Sequence, residues 1–524
     1  MITFSYTVLK RVQDSLFYSG AYGMGRYYLG IDQGTTLTTA VIIDRSFRVA
    51  AKASCPHTNQ YPQPGWVEQD PCEIYDNVLK AVDNAMKKIP GMQASDLCAF
   101  GIDHQGETCC IWDKETGQPV YPAIVWQDRR TADAAEQLKD KAGSRISSLT
   151  GLTPDAYYSA TKLAWIMDHV PDARAKVKEG RFLIGTLNTY IFWRLSGGTV
   201  YKTDPASASC MMLMDLAKTR WDETLVEELL GIPASCLPEI CDTASDYGFT
   251  EPSEFFGARV KLAGSTTDSS AAMIGGGCFG AGILKTSYGT GNFMSLQLGD
   301  QPVISEKGVV TDCIWREGQT AGYRFRGACY VAGAAVEWLK NGLRIIDDPK
   351  ETSDIALSVQ DSNGVYFVPA FSGLATPYWD PYARGALFGI TGGTDRAHIV
   401  RSVLEAIAYQ VTDCYLSLRQ EIDYDCKIMR ADGGMVDNAF LMQLQADMLG
   451  MPVEVPVEKE SAAFGAACIA AYADGALEQI GDVHSYVKIK ELYHPSMTDG
   501  ERAERLHNWR KAVSRSLGWI SPEQ

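Results

Sequence analysis

The stretch YYLGIDQGTTLTTAVII, residues 27–43, combines strand-forming ends with a polar centre. Residues 27–31 and 39–43 have the apolar and β-branched composition of two short strands, and DQGTT (32–36) joins them through a glycine-containing turn. Backbone N–H groups in such a turn and the hydroxyls of Thr35 and Thr36 can bind a phosphate, and Asp32 can hold a hydrated Mg²⁺. An Asx-type hairpin turn has the same composition, so both interpretations stay open at this point.

The segments that follow alternate between helices and strands. Asp70-Pro71 predicts a helix start, with an acidic N-cap followed by proline at the first position, and apolar residues then recur at helical spacing up to Ala85. Strands are predicted near 98–102 and 122–126, and helices near 130–142 and 161–169. Beyond the Gly/Ser/Thr-rich segment 262–291, helices are predicted at 398–419 and 438–449, with a strand over VEVPV (453–457). The pattern indicates the α/β class.

The length of the chain predicts two large domains. A chain of 524 residues exceeds the size at which a single hydrophobic core usually stops growing. We expect an N-terminal extension over 1–26, a first domain over 27–277 and a second over 278–520, with the boundary near Gly277. Met24 is an alternative start for the chain.

Bulk composition limits the partners and the cellular location. A net charge of −16 argues against a nucleic-acid partner, which requires a basic surface. Fourteen cysteines without a CxxC pair, and seven scattered histidines, predict reduced thiols in a cytoplasmic protein rather than a disulfide framework or a zinc site. No apolar run approaches the roughly 20 residues of a membrane span.

Two further glycine-containing loops, YGTG (288–291) and ADGG (431–434), resemble DQGTT in character. Each can be a plain turn, but a cleft between two α/β domains would bring all three together. Asp268, in GSTTDSS (264–270), is either a helix N-cap or a general base facing such a cleft. Two pattern matches do not predict nucleotide loops: GxGxxG at 275–280 follows a helical segment, and GAGILKTS (280–287) lacks the glycine before its lysine.

The stretch GIDHQGETCCIW (101–112) places five polar or glycine residues inside a strand-like run. Its apolar ends predict a buried strand, which would include Cys109 and Cys110. Its polar centre, 103–107, predicts a binding site. We interpret His104 as a hydrogen-bonded structural residue, because no partner pattern marks it as a catalyst.

Together these residues resemble the FGGY carbohydrate kinases, and most closely the glycerol kinase branch, from about Tyr27 to Val513. The resemblance rests on several motifs, which are YLGIDQGTT (28–36), YPQPGWVEQDP (61–71), IVWQDRR (124–130), YYSATKLAWIMDH (157–169), SYGTGNFM (287–294), FVPAFSGLATPYWDPYARGALFGIT (367–391), GALFGITGGTDRAHIVRSVLE (385–405) and ADGGMVDNAFLMQLQADMLG (431–450). It implies an α/β fold of the hexokinase–actin–Hsp70 superfamily, in which two ribonuclease-H-like domains hold ATP and substrate in the cleft between them.

The resemblance also implies roles for individual residues. Asp268 would be the catalytic base, and Asp32 the aspartate associated with Mg²⁺. The implied substrate-binding positions are Gly106, Glu107, Trp126, Tyr157, Asp268, Ser269 and Phe293. The implied nucleotide-binding positions are Thr35, Thr36, Thr290, Gly333, Glu337, Gly434 and Asn438.

Two substrate-binding positions depart from the glycerol kinase pattern. Gly106 stands where glycerol kinases have arginine, and Ser269 where they have glutamine. Both changes remove hydrogen-bond donors and open space beside Glu107, and each unmade buried hydrogen bond costs about 1–3 kcal/mol. A larger substrate, such as a tetritol, a pentitol or a ketose, would fill that space. Thr39 and Glu337 also differ, from an arginine and a glutamine.

We therefore predict ATP- and Mg²⁺-dependent phosphorylation of a terminal primary hydroxyl on a small polyol or sugar. Glycerol, giving glycerol 3-phosphate, and a larger polyol both remain open. The alternatives are a ketose kinase of the xylulokinase or ribulokinase type, a non-catalytic regulatory relative, and an actin-like filament or chaperone ATPase. The family resemblance further implies a homodimer or homotetramer.

Overall fold

The computed structural model describes residues 26–305 and 309–521. The predicted N-terminal extension and Met24 lie outside the described residues, apart from Arg26. The helices, numbered in chain order, are α1 (Pro71–Met86), α2 (Ala132–Thr150), α3 (Ser159–His169), α4 (Ala173–Lys178), α5 (Leu187–Leu195), α6 (Pro205–Ser209), α7 (Glu223–Leu230), α8 (Asp268–Gly275), α9 (Gly333–Glu337), α10 (Thr352–Leu357), α11 (Arg396–Arg419), α12 (Ala439–Leu449), α13 (Ser461–Ala473) and α14 (Asp499–Val513).

The strands before residue 268 are β1 (Tyr27–Gln33), β2 (Leu37–Asp44), β3 (Val49–Pro56), β4 (Glu68–Gln69), β5 (Leu97–His104), β6 (Cys109–Asp113), β7 (Ala123–Ile124), β8 (Phe182–Thr186), β9 (Lys202–Thr203), β10 (Met214–Asp215), β11 (Arg220–Trp221), β12 (Glu239–Ile240), β13 (Ala244–Phe249) and β14 (Lys261–Thr267). The later strands are β15 (Ile283–Tyr288), β16 (Asn292–Gly299), β17 (Val310–Glu317), β18 (Thr320–Cys329), β19 (Tyr366–Val368), β20 (Ala386–Phe388), β21 (Ile428–Asp432), β22 (Val453–Pro456) and β23 (Ile489–Tyr493).

Two large mixed sheets organise the described chain. The first has the order β13-β14-β5-β1-β2-β3, and the second has the order β17-β18-β16-β15-β21-β22-β23. In the first sheet, β1 runs antiparallel to β2 but parallel to β5, and β14 runs parallel to β5. The carboxyl ends of β1, β5 and β14 therefore meet at one edge, where ligands bind in open α/β sheets.

The local predictions near the N-terminus are confirmed. The strands of 27–43 form the β1–β2 hairpin. Helix α1 begins at Pro71, and the side chain of Asp70 accepts a hydrogen bond from the Cys72 amide at 2.8 Å. Its predicted face, which runs from Ile74 to Ala85, is buried against the first sheet. These elements follow from hydrogen bonds and packing within short segments, which explains why the sequence predicts them.

The stretch 101–112 contains the end of one strand and most of another, and the strand predicted near 98–102 is confirmed. Strand β5 ends at His104 in the first sheet, and β6 begins at Cys109 in a separate four-stranded sheet. The turn between them includes Gly106, which has a left-handed φ of 67°. His104 is buried, and its Nε2 lies 2.8 Å from Oγ of Ser207, which agrees with a structural role. All fourteen cysteines are free, and Cys109 and Cys110 are buried.

Helix α13 connects the two halves of the chain. Although it lies within the predicted second domain, it packs on β1, β5 and β14 of the first sheet and against α8. The predicted boundary near Gly277 falls between α8 and β15, and thus between the two sheets, and stays a prediction as a domain limit. No helix in the described ranges is long and apolar enough to cross a membrane.

Candidate active site

Three aspartates lie at the shared carboxyl edge of the first sheet. Asp32 is near the end of β1, Asp103 is its register partner on β5, and Asp268 directly follows β14 as the first residue of α8. Burial, together with the charge of Asp268, raises the pKa of Asp32 to about 7. Burial also raises the pKa of Asp103 well above its ordinary value. The strand order of the sheet thus gathers carboxyl groups that are far apart in sequence.

Asp268 has the environment of a general base. It lies in the first turn of α8 rather than at the N-cap, which is Thr267, and its Oδ1 accepts from the Ser269 amide at 2.5 Å. Burial is the main cause that raises its pKa to about 6, while this hydrogen bond acts in the opposite direction. A carboxylate with such a pKa is ionised at neutral pH and can still accept a proton usefully.

The edge of the first sheet that carries Asp32, Asp103 and Asp268, here called the aspartate edge, has the chemistry of a magnesium site. Both oxygens of the fully buried Asp103 lack a hydrogen-bond partner among the described residues, and they lie beside Asp32. Mg²⁺ prefers oxygen ligands and is commonly held by one or two carboxylates together with waters and substrate phosphates. The described residues contain no group of three or more His, Cys, Asp or Glu side chains placed to hold a metal. The sequence predicted a metal-associated role for Asp32, whereas Asp103 was predicted only as part of the polar centre 103–107.

Two side chains predicted to bind substrate, Trp126 and Tyr157, contact each other near Asp268. The rings of Trp126 and Tyr157 meet edge to face at 5.6 Å, and Nε1 of Trp126 donates to Oγ1 of Thr35 at 2.9 Å. Burial, followed by the charge of Glu107, raises the pKa of Tyr157 well above its ordinary value. The charge of Glu107 also raises the pKa of Asp268, so the carboxylate predicted to bind hydroxyls lies near the predicted base.

Two arginines from β18 bond to predicted substrate-binding residues, and the sequence analysis missed both. Nη1 of Arg326 donates to Oε1 of Glu107 at 2.9 Å, and Nη2 of Arg324 donates to Oγ of Ser269 at 2.9 Å. The space beside Glu107, which the sequence suggested was open because Gly106 replaces arginine, therefore contains a guanidinium from the other half of the chain. The spacing in YRFRG (323–327) was a usable signal, since residues two apart on a strand share a face.

The predicted nucleotide loops of the second sheet lie side by side. Ser287 and Asp432 are register partners on the parallel strands β15 and β21. The Gly333 amide donates to the carbonyl of Gly289 at 3.0 Å, so the loop that leads into α9 contacts YGTG. A Cβ on Gly433 would lie 2.4 Å from the Tyr288 carbonyl oxygen, which explains the glycine there.

The remaining predicted positions lie on exposed or partly buried surface. Gly434 borders open space, and Thr36, Thr290 and Glu337 are exposed. Asn438 is the N-cap of α12, where its Oδ1 accepts from the Leu441 amide at 2.9 Å. Phe293, on β16, is 47% exposed. Their contacts with nucleotide or substrate stay predictions.

Comparisons with known proteins match most of the chain to carbohydrate kinases. Models for the N-terminal and C-terminal domains of the FGGY family of carbohydrate kinases match residues 27–275 and 284–473. Glycerol kinase 2 of Thermotoga maritima is 43% identical over 495 residues, which cover 94% of this chain and 99% of the relative. Glycerol kinase of Symbiobacterium thermophilum is 43% identical over 496 residues, with coverages of 94% and 99%.

Two solved structures of carbohydrate kinases resemble this fold. The crystal structure of Plasmodium falciparum glycerol kinase with ADP is similar with a TM-score of 0.90 at 32% identity, covering 95% of this chain and 99% of that one. A ligand-bound xylulose kinase from Lactobacillus acidophilus shares the fold with a TM-score of 0.82 at 22% identity, covering 94% and 99%. The chain belongs to the FGGY family of carbohydrate kinases, and it is a phosphotransferase that uses an alcohol group as acceptor.

Proposed function

We propose that this protein transfers the γ-phosphoryl group of ATP to a terminal primary hydroxyl of a small polyol, as a glycerol kinase does. The observation that carries the proposal is that Asp268 follows β14 at the strand edge that also carries Asp32 and lies near both Glu107 and Tyr157. Relatives named glycerol kinase, 43% identical over nearly the whole chain, support the substrate class.

The residues act mainly by positioning and by accepting one proton. Glu107 accepts hydrogen bonds from acceptor hydroxyls, and the aromatic faces of Trp126 and Tyr157 pack on the C–H faces of the polyol. Asp268 takes the proton of the primary hydroxyl while that oxygen attacks the γ-phosphorus, and the bond from the γ-phosphorus to the oxygen of the departing ADP breaks.

The phosphates of ATP would bind at the glycine-containing loops 32–36, 288–291 and 431–434. Thr35, Thr36, Thr290, Gly333, Glu337, Gly434 and Asn438 are the proposed nucleotide-binding residues. Asp32 and Asp103 would hold Mg²⁺, which when bound neutralises developing charge on the phosphates. Assembly as a homodimer or homotetramer and a cytoplasmic location are further proposals from the family, and light scattering after gel filtration tests the first.

A coupled ATP assay over an acceptor panel tests this function. The panel contains glycerol, erythritol, threitol, xylitol, dihydroxyacetone, xylulose and ribulose. We expect the highest kcat/KM for glycerol or a tetritol or pentitol. A ketose as the best acceptor would instead make the protein a ketose kinase, and the absence of turnover with all seven would favour a regulatory relative.

A further inference from the structure

Four side chains of alternating charge are linked in a row, in the order Glu107, Arg326, Asp312 and Arg324. Arg326 donates from Nη1 to Glu107, and its Nε lies 2.8 Å from Oδ2 of Asp312. Nε of Arg324 donates to Oδ1 of the same aspartate at 2.7 Å. Since Asp312 is on β17 and both arginines are on β18, one hairpin of the second sheet supplies three of these four side chains.

One donor in this row is left over. Nη2 of Arg326 is buried and has no hydrogen-bond partner among the described residues. A buried guanidinium that only holds a fold normally has its N–H groups satisfied, because each unmade bond costs free energy. The guanidinium carbon lies 5.8 Å from the centre of the Tyr157 ring, a wall of the acceptor pocket. The guanidinium of Arg326 is therefore near the ring proposed as a wall of the acceptor pocket, and it bonds to Glu107, the carboxylate proposed to bind acceptor hydroxyls.

We infer that Arg326 is a specificity-determining residue, which donates hydrogen bonds from Nη2 to a hydroxyl oxygen of the acceptor away from the phosphorylated carbon. This inference rests on the proposed polyol kinase function. Glu107 would accept hydrogen bonds from the hydroxyl groups of the substrate, and Arg326 would donate hydrogen bonds to their oxygens. Two neighbouring hydroxyls on the substrate would therefore find both a hydrogen-bond acceptor and a donor. The acceptor is then recognised by both halves of the chain.

Asp312 and Arg324 act as positioning residues for this contact. The Arg324 and Asp312 side chains are 0% and 1% exposed, and Asp312 bonds to both arginines. An aspartate on Nε and a glutamate on Nη1 leave the planar guanidinium of Arg326 little freedom to rotate. Nη2 is consequently held in one direction before the acceptor arrives, which lowers the entropy cost of binding.

The test measures acceptor binding by calorimetry and steady-state kinetics for the wild type, R326Q and R326K. We expect R326Q to raise both the Kd and the KM of the best acceptor about ten- to a hundredfold, with the KM of ATP changed less than twofold. R326K, which keeps the charge but not the planar fork, should be intermediate. If R326Q fails to fold, the acceptor Kd and KM of R326K test the inference in its place.

Deoxy analogues of the best acceptor identify the hydroxyl involved. For the analogue that lacks the contacted hydroxyl, R326Q should cost almost nothing further, because the bond is already absent. For glycerol, propane-1,2-diol and propane-1,3-diol serve as these analogues. An equal loss with every analogue would mean that Arg326 contacts no acceptor hydroxyl, and would overturn the inference.

Arg316 provides the matched control. It lies on β17 of the same hairpin and its Nε bonds to Asp242 at 2.7 Å, an ion pair that also joins the two halves of the chain. R316K should leave the acceptor KM unchanged. Wild-type acceptor affinity in R326Q, or losses in R326Q that equal those in R316K, would overturn the inference while the kinase function stands. A wild type that neither binds nor phosphorylates any acceptor would instead overturn the proposed function and the inference together.

Discussion

Asp32 and Asp103 are register partners on the neighbouring parallel strands β1 and β5, which places the partly buried carboxyl group of Asp32 beside the fully buried one of Asp103. Without a counter-ion such a pair is unfavourable, since burial and mutual repulsion both oppose ionisation. Burial, followed by the charge of Asp268, raises the pKa of Asp32 to about 7, and burial, followed by the charge of Asp32, raises the pKa of Asp103 well above its ordinary value. A divalent cation would relieve the repulsion, so this relationship leads directly to a metal-dependence experiment.

We expect Asp103→Asn to raise the Mg²⁺ concentration for half-maximal turnover about tenfold, because the proposed metal site would lose one carboxylate. Thermal unfolding in metal-free buffer should be unchanged or slightly improved, since a source of repulsion is removed. A Mg²⁺ titration at saturating ATP measures the first effect. Asp423→Asn, at an exposed position, is the control. An unchanged Mg²⁺ requirement would remove Asp103 from the metal site.

Replacing Asp268 with asparagine should lower kcat by about 10²–10⁴, because the amide cannot accept the hydroxyl proton. The side chain keeps its size, so ADP binding and the acceptor Kd should change by only a few-fold. Single-turnover kinetics and calorimetry separate the two effects. Turnover close to that of the wild type would show that another group, or water, is the base.

The pH dependence follows from the same residue. As the proposed base, Asp268 would act in its ionised form, and burial raises its pKa to about 6. As pH falls through 6 the group becomes protonated, so kcat/KM should decline about tenfold per pH unit below that value. The decline should be absent from the residual activity of Asp268→Asn. A flat profile down to pH 4.5 in the folded wild type would contradict this assignment.

Gly106→Ala tests the conformation of the turn beside Glu107. The φ of Gly106 is 67°, and a Cβ there would lie 3.7 Å from Sγ of Cys210, an ordinary contact. Strain rather than collision should therefore dominate, at about 1–2 kcal/mol of lost unfolding free energy in urea titrations. Gly500→Ala, which adds a Cβ to open space in α14, should be neutral or slightly stabilising.

Gly101→Ala should be more damaging, because it separates α13 from the first sheet. A Cβ on Gly101 would lie 2.1 Å from the carbonyl oxygen of Ala466, so backbone must move. Such overpacking costs about 1–3 kcal/mol or more. Activity should fall as well, since β5 carries Asp103. Urea titrations of Gly101→Ala and of the control Gly500→Ala measure the difference in unfolding free energy. Equal stability of the two variants would show that α13 can shift without cost.

The features that sequence predicted well depend on neighbours in the chain. The start of α1 follows from Asp70 and Pro71, and the β1–β2 hairpin from the composition of 27–43, because capping bonds and turns involve residues a few positions apart. The composition of 101–112 indicates strand character at both ends but does not show that the ends belong to different sheets, because sheet membership is decided by partners elsewhere. Only the pairing of β5 with β1, and of β6 with β8, shows where one strand ends and the next begins.

By itself the sequence determined the α/β class, the family and most of the candidate site, including Asp32, Glu107 and Asp268. The tertiary structure alone decided how the space beside Glu107 is filled. Arg326 is 219 positions from Glu107, and no local pattern links them. The β17–β18 hairpin brings the guanidinium there because packing and hydrogen bonding act through space, whereas sequence motifs report mainly on residues close along the chain.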